Sequence, residues 1–397
     1  MKSIKKVLYP LTADSWSNEE LNSINKVIKS NRFTMGPEVN KFEEAFSKHF
    51  KTKYSVMVNS GSSANLLMIA SLFYLNKNKL KPGDEIIVPA VSWGTTYFPI
   101  SQYGLKAVFV DISLNTLNID ENLVEKAITK KTKAIFVVNL LGNPVNFKKI
   151  NQLANKYNLI VLEDNCESLG AMYKNKYTGT FGLMGSFSFF FSHHIQTIEG
   201  GMICTNNKNL YEIMISLRAH GWLRDLPKKN SILSKSGNSF KDSFKFVLPG
   251  YNLRPSEING SIGLVQLKKV KSFLKQREKN AKIFKSLFDN LPYCSIQKEN
   301  YKSSWFGFAI ILKGKLANKR DKLIKILNEK KIETRPIVAG NFLINPVIKF
   351  INHKKSSSMK NANYIHKNGF FVGNDHRILK REILLLSKVM NEFVKNV

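Results

Sequence analysis

The sequence Ser186-Phe187-Ser188-Phe189-Phe190-Phe191-Ser192-His193-His194-Ile195 carries an aromatic run into two histidines, and Glu199-Gly200-Gly201 closes it a few residues later. Alternation of Ser and Phe, followed by solid Phe, predicts a buried strand. The paired glycines predict backbone passing close to something bulky, the usual setting of a bound ligand.

Working outward, apolar runs alternate with amphipathic stretches on both sides. Residues 54–58 read as a strand that enters Asn59-Ser60-Gly61-Ser62-Ser63, after which Leu66, Leu67, Ile69, Ala70 and Phe73 continue as a helix. Strand, glycine turn and helix together make a candidate anion site, because free N–H groups and the positive helix end favour a phosphate; an ordinary Ser-capped helix is the plain alternative. Residues 85–89 form the next expected strand, with Trp93 just beyond its end, where ligands gather in open α/β sheets. Strands at 107–111 and 134–139 then alternate with helices at 123–128 and 147–157. Solid apolar strands between amphipathic helices predict an α/β fold with a mostly parallel sheet.

Upstream, Ser17-Asn18-Glu19-Glu20 is a capping box, and Leu21, Ile24, Val27 and Ile28 give its helix an apolar face; a second helix carries Val39, Phe42, Phe46 and Phe50. Downstream, residues 227–245 are polar and read as a long loop, a lid or subunit contact. From about Arg277 a long helix leads into a strand at 305–312, a helix at 323–327, a strand at 332–337 and a terminal helix at 383–394. We therefore expect a large domain over 1–270, with an N-terminal helical segment, and a smaller α+β domain over 271–397.

The 397 residues carry a formal charge of +32, yet the positive residues are overwhelmingly lysines dispersed along the chain. Without a basic cluster, a solvated surface is expected rather than a nucleic-acid site, although the field would draw in an anionic substrate. No apolar run approaches the length of a membrane helix, and residues 1–6 lead into polar sequence, so a cytoplasmic protein is expected. Cys166, Cys204 and Cys294 stand alone, which predicts no disulfide framework, no metal site and no iron–sulfur centre within this chain.

Residues 159–162 are solidly apolar and read as a strand that runs through Glu163 to end at Asp164, followed by Asn165-Cys166-Glu167. A carboxylate there requires a cation or a donor. A protonated pyridine nitrogen would serve, and a facing carboxylate would keep such a ring cationic.

The Phe-Ser-Phe strand, a short step to a basic residue and then Glu199-Gly200-Gly201 resemble the active-site strand of the pyridoxal-phosphate sugar aminotransferases (DegT/DnrJ/EryC/StrS type). The resemblance runs nearly the whole chain and implies fold type I. That family places its Schiff-base lysine where this chain has His193. With Ser192-His193-His194 in that place, the segment resembles the sugar 3-dehydratases that branch from the aminotransferases. The resemblance implies pyridoxal 5'-phosphate or pyridoxamine 5'-phosphate as cofactor and makes 1–270 the domain that binds it. Gly61, Ser62 and Ser63 would hold its phosphate, Trp93 would cover its ring, Asp164 would face the ring nitrogen, and Glu167 the ring hydroxyl; Ser188 joins this set. Asn252 would reach a neighbouring subunit's cofactor, which implies a homodimer with shared sites. His193 would be the catalytic base; His220, Arg224 and Arg335 are candidate substrate contacts, Arg335 for the carboxylate of the amino donor, glutamate. The implied substrate is a GDP-linked 4-keto-6-deoxy sugar that loses its C3 hydroxyl, as in dideoxysugar and O-antigen synthesis. An aminotransferase with another base, a CDP-sugar 3-dehydratase coupled to an iron–sulfur reductase, and a regulatory relative without a lysine remain open alternatives.

Overall fold

The computed structural model describes residues 7–77 and 79–397; the expectation for residues 1–6 lies outside them. In chain order the strands are β1 (Tyr54–Val58), β2 (Glu85–Pro89), β3 (Lys106–Val110), β4 (Thr132–Val138), β5 (Ile160–Asp164), the hairpin β6 (Met172–Tyr173) and β7 (Lys176–Tyr177), β8 (Met184–Ser188), β9 (Gly201–Thr205), β10 (Cys294–Ile296), β11 (Gly307–Leu312), β12 (His353–Lys355) and β13 (Gly369–Gly373). The helices are α1 (Asn18–Ser30), α2 (Pro37–Phe50), α3 (Gly61–Ser71), α4 (Gly94–Gln102), α5 (Glu121–Ala127), α6 (Phe147–Tyr157), α7 (Lys208–Arg218), α8 (Ser239–Ser243), α9 (Glu257–Phe288), α10 (Arg320–Glu329), α11 (Lys360–Asn368) and α12 (Lys380–Lys395).

Eight strands form the large sheet in the order β1-β9-β8-β5-β4-β2-β3-β12, and β9 alone runs against the others. This is the expected α/β architecture. Its central strands are largely apolar because both faces are covered. On β4, Ala134, Phe136 and Val138 join one core with α3, α4 and α7, while Ile135 and Val137 join Phe147 and Ile150 of α6 in another. A third core packs Phe42, Phe46 and Phe50 of α2 against Met57, Phe187 and Met202. The small sheet, β10-β11-β13, packs on Phe284 and Phe288 of α9 and on Ile383 and Leu386 of α12.

The expected division between residues 270 and 271 falls inside α9, which runs unbroken for 32 residues and contributes Leu267 to one core and Phe284 to another. The C-terminal part also returns a strand to the large sheet, since β12 pairs with β3.

Four local expectations change. The aromatic run does not continue as a strand: β8 stops at Ser188, and Phe190 and Phe191 are exposed. Residues 332–337 make only isolated bridges, Ile332 to Tyr9 and Arg335 to Phe371, and Pro336 offers no N–H for a ladder. On α1 the capping box forms, but of the expected apolar face only Val27 is buried while Leu21 and Ile28 are exposed. The polar stretch at 227–245 contains α8. Among the described residues, no helix is long and apolar enough to cross a membrane.

Glu257, 2% exposed, ties the N-terminal helices to the rest. Gly36 caps α2 without a side chain, and the carboxylate of Glu257 takes that role, accepting from the N–H groups of Gly36 (2.7 Å), Glu38 (2.9 Å) and Val39 (3.0 Å). Glu257→Ala should lower stability by about 3 kcal/mol, because buried donors lose a charged acceptor, and Glu257→Gln by less. Urea unfolding followed by circular dichroism measures both.

Candidate active site

The carboxyl edge of the large sheet opens into a cavity of about 620 Å³. Gly61 and Ser62 line it from the start of α3, Trp93 from the start of α4, Asp164 and Glu167 from the end of β5, and Ser188 and His193 from the end of β8. Arg335, Phe306 and Phe371 close it from the small-sheet side. Most of the residues singled out in the sequence therefore meet in one place. Ser63, His220, Arg224 and Asn252 do not line this cavity.

Asp164 is 5% exposed. Its Oδ2 accepts from Asn65 Nδ2 and Thr96 Oγ1, each at 2.8 Å, and its Oδ1 from the Cys166 N–H at 3.2 Å. Both neutral donors are themselves held: Ser186 Oγ donates to Asn65 Oδ1 at 2.6 Å, and Ser92 Oγ lies 2.8 Å from Thr96 Oγ1. Oδ1 thus keeps acceptor capacity toward the cavity, as a protonated ring nitrogen requires.

Ser60 caps α3 by accepting from the Ser63 N–H at 3.1 Å, and Ser63 Oγ donates to Asn59. That uses the polar groups of Ser63 locally and leaves the first N–H groups of α3, at Gly61 and Ser62, for an anion. Gly61 must be glycine: a Cβ would lie 2.6 Å from that of Ser188. Trp93 presents its indole at 61% exposure, wide open for a flat ring.

His193 has Phe306 edge-on at 5.2 Å and Phe190 at 6.0 Å. Burial first, and then the charges of Arg277 and Arg335, pull its imidazole down to about 4, with the Phe190 carbonyl acting the other way. The ring is therefore neutral and able to accept a proton. His194 turns away, its Nε2 3.1 Å from the Ser304 carbonyl. Lys208 sits at the start of α7 beside Glu212, 3.6 Å away. Among the described residues no lysine lines the cavity.

Glu167 accepts from the Leu141 N–H at 3.0 Å, and burial, aided by Asp164, raises its carboxyl to about 7. Arg335 has no carboxylate within 4 Å among the described residues; its backbone bridges to Phe371.

Sequence reasoning missed Asn65, Thr96, Phe306 and Arg277. A polar Asn65 inside the apolar run of α3 was the available signal for the first. Phe306 had no such mark, since it opens an apolar segment that reads as core.

The profile of the DegT/DnrJ/EryC1/StrS aminotransferase family matches residues 14–383. The chain belongs to this family. It is 53% identical over 386 residues to the GDP-4-keto-6-deoxy-D-mannose 3-dehydratase of Yersinia pseudotuberculosis, an alignment covering 97% of this chain and 98% of that one. The E. coli GDP-4-keto-6-deoxy-D-mannose-3-dehydratase with bound hydrated PLP superposes with a TM-score of 0.95 at 52% identity, covering 96% and 99% of the two chains. GDP-4-keto-6-deoxymannose-3-dehydratase with a trapped PLP-glutamate geminal diamine gives 0.94 at 52% identity over the same shares.

The raised carboxyl of Glu167 has a consequence for stability. Between the ordinary carboxylate range, near 4.5, and about 7, the folded chain keeps a proton that the unfolded chain releases, so stability falls as pH rises through that window. In cofactor-free protein, Glu167→Gln should flatten this fall, a difference of up to about 1.4 kcal/mol for each pH unit crossed. Urea midpoints of both proteins at pH 5 and pH 8 test it.

Proposed function

We propose that this family member is a pyridoxal-phosphate-dependent nucleotide-sugar 3-dehydratase that removes the C3 hydroxyl of a GDP-linked 4-keto-6-deoxy sugar, with glutamate as amino donor. The observation that carries this reading is a cavity with groups suited to the cofactor that His193 lines and that, among the described residues, no lysine lines.

The residues fit the cofactor: Asp164 Oδ1 retains an acceptor for a ring N–H, the open N–H groups of Gly61 and Ser62 suit a phosphate, and Trp93 offers a stacking face. When bound, this cofactor would accept the amino group of glutamate and, once joined to the keto carbon of the sugar, would supply a conjugated system able to hold the electron pair left by an abstracted proton and pass it on so that the neighbouring hydroxyl can leave. His193 cannot form a stable imine, so its role narrows to moving protons. As a neutral imidazole it takes one from the reacting carbon and returns it, in both halves of the reaction. Arg335 stands at the rim where a two-point grip on the glutamate carboxylate is available. Glu167 carries its proton near neutral pH and can share a hydrogen bond with a ring oxygen.

The electron count agrees. Replacing a C–OH by a C–H consumes two electrons, and oxidation of glutamate to 2-oxoglutarate and ammonia supplies two. Incubation with cofactor, glutamate and the 4-keto sugar should therefore release 2-oxoglutarate and ammonia in equal amounts with a 3-deoxy-4-keto sugar. An amino sugar as product would mean aminotransferase chemistry. His193→Asn should retain cofactor yet lose about 10² to 10⁴ in rate in each half-reaction.

His220, Arg224 and Asn252 gather on another surface. Ala219 bridges Asn252, Arg254 Nε donates to Asn252 Oδ1 at 3.0 Å, and the Arg224 guanidinium lies 3.5 Å from the centre of the Trp222 ring. Phe240, Phe244 and Phe246, each at least 60% exposed, extend the same stretch. This apolar and basic surface suits a second copy, and we assign Asn252 to the cofactor phosphate of that copy. Mixing Asn252→Ala protein with His193→Asn protein should regenerate activity, because one of the two hybrid sites is then intact. No recovery after subunit exchange, verified by native mass spectrometry, would put each site within one chain.

A further inference from the structure

Residues 8–17, ahead of α1, form no helix or strand of their own, yet both ends of this stretch are tied to segments that carry cavity residues. At its start, Tyr9 bridges Ile332, the Glu333 N–H donates to the Tyr9 carbonyl at 2.9 Å, and the Leu11 N–H donates to Glu333 Oε2 at 2.9 Å. The Tyr9 ring is buried, and its hydroxyl donates to the Gly373 carbonyl at 2.7 Å. Glu333 stands two residues before Arg335, which lines the cavity.

At its far end the stretch meets the loop of His193. Gln196 Nε2 donates to the Ala13 carbonyl at 2.9 Å, its Oε1 accepts from the Ser15 N–H at 3.4 Å, and Trp16 Nε1 donates to the Gln196 carbonyl at 3.3 Å. Gln266, buried on α9, closes the joint. Its Oε1 accepts from the Gln196 N–H (3.2 Å) and Ser15 Oγ (2.9 Å), and its Nε2 donates to the Ser15 carbonyl (3.3 Å) and to Glu20 Oε1 (2.7 Å). These bonds fill the whole capacity of the amide, which fixes its orientation.

His193 needs such a hold. Its Nδ1 is buried without a hydrogen-bond partner among the described residues, so no neighbour aims the ring through that atom. The aim comes instead from packing against Phe190 and Phe306 and from a backbone that has already left the sheet at Ser188. Just past Gln196 the same loop is held in a strained turn. Ile198 has φ 70°, rare for a β-branched residue, and Asn259 Nδ2 pins the turn by donating to the carbonyls of Thr197 (2.6 Å) and Glu199 (2.9 Å).

We propose that residues 9–16 are a positioning strap for the reaction, which fixes the loop carrying His193 relative to the segment carrying Arg335. Gln196 and Glu333 are its two anchor points, and Gln266 locks the first. The proton carrier and the carboxylate grip come from distant parts of the chain, and glutamate has to meet both at once. A misplacement of about 1 Å can cost about 10²-fold in rate, so a tie between the two segments has kinetic weight. The proposal rests on the reading of His193 as the proton carrier and of Arg335 as the glutamate contact.

Cutting the strap at either anchor separates its two tasks. Gln196→Ala frees the His193 loop and should lower kcat in both half-reactions at least about tenfold, with each KM within about twofold. Glu333→Ala frees the Arg335 segment: the KM for glutamate should rise at least about fivefold, while dehydration by enzyme preloaded with pyridoxamine phosphate stays within about twofold. Glu333→Gln keeps an acceptor for the Leu11 N–H and should restore the glutamate KM. Amide hydrogen exchange of the cofactor-free protein, read by mass spectrometry, needs no turnover. Peptides within residues 189–199 should exchange at least about tenfold faster in Gln196→Ala and at an unchanged rate in Glu333→Ala. A stretch that only stabilises the fold would lower the unfolding midpoints of both variants without this split. Equal damage by the two variants to both half-reactions, or unmoved exchange at 189–199 in folded Gln196→Ala, would overturn the proposal. If Gln196→Ala does not fold by circular dichroism, Trp16→Phe decides, because it removes the donor to the Gln196 carbonyl and leaves the rest of the joint; faster exchange at 189–199 supports the strap and unchanged exchange overturns it. A failure of the dehydratase reading would appear separately, as unmodified enzyme that yields no 3-deoxy sugar, and the exchange pattern would still decide the strap.

Discussion

A carboxylate at the end of an apolar strand is costly unless its lone pairs are met, and meeting those of Asp164 organises the cavity. Asn65 from α3 and Thr96 from α4 both donate to Oδ2, while Ser186 on β8 fixes the first and Ser92 the second. One anion thus registers two helices and two strand ends. Both donors are neutral, so the negative charge is solvated without being cancelled, and Oδ1 keeps room for a cationic partner arriving from the cavity.

On the proposed function, a histidine in place of a lysine alters how such a partner is retained. A lysine would anchor the cofactor covalently and also move protons, whereas the imidazole of His193 could take only the second task. Retention would then fall to the open amides at the start of α3, the face of Trp93 and the Asp164 carboxylate, each of which would contribute a modest free energy. An indole left 61% exposed is a large apolar area to leave in water, and covering it with an aromatic ring recovers part of what the missing covalent bond would supply.

Much of this was legible in the sequence because the relevant signals are local. Strands buried on both faces are largely apolar, so β2 to β5 stood out, and Asp164, Ser188 and His193 stood at or just past strand ends where ligands are expected. What escaped notice depends on distant partners. Strand β12 is His353-Lys354-Lys355, which reads as solvated surface, yet its backbone pairs with β3 and Lys354 reaches the buried Glu85 at 2.7 Å, leaving only Lys355 exposed. Phe190 and Phe191 looked like core, but the chain leaves the sheet at Ser188, and only contacts from remote segments could reveal that. Arg277 lay in an ordinary amphipathic helix; its meaning comes from carbonyls about thirty to a hundred residues away in sequence.

The two walls of the cavity are joined at a strained turn. Leu141 has φ 52°, a left-handed conformation that costs a β-carbon residue roughly 1–2 kcal/mol. In return its N–H reaches Glu167 and its carbonyl accepts from the Phe306 N–H at 3.1 Å. Gly142 follows at φ 92°, where a Cβ would lie 2.5 Å from the Trp305 nitrogen, so no other residue permits so close an approach of the two segments. The carboxyl on one wall and the segment carrying the aromatic ring beside His193 on the other are consequently tied through a single residue. Movement of one wall would have to break the hydrogen bonds that repay the strain at Leu141, so Glu167 and the Phe306 segment are held in one frame.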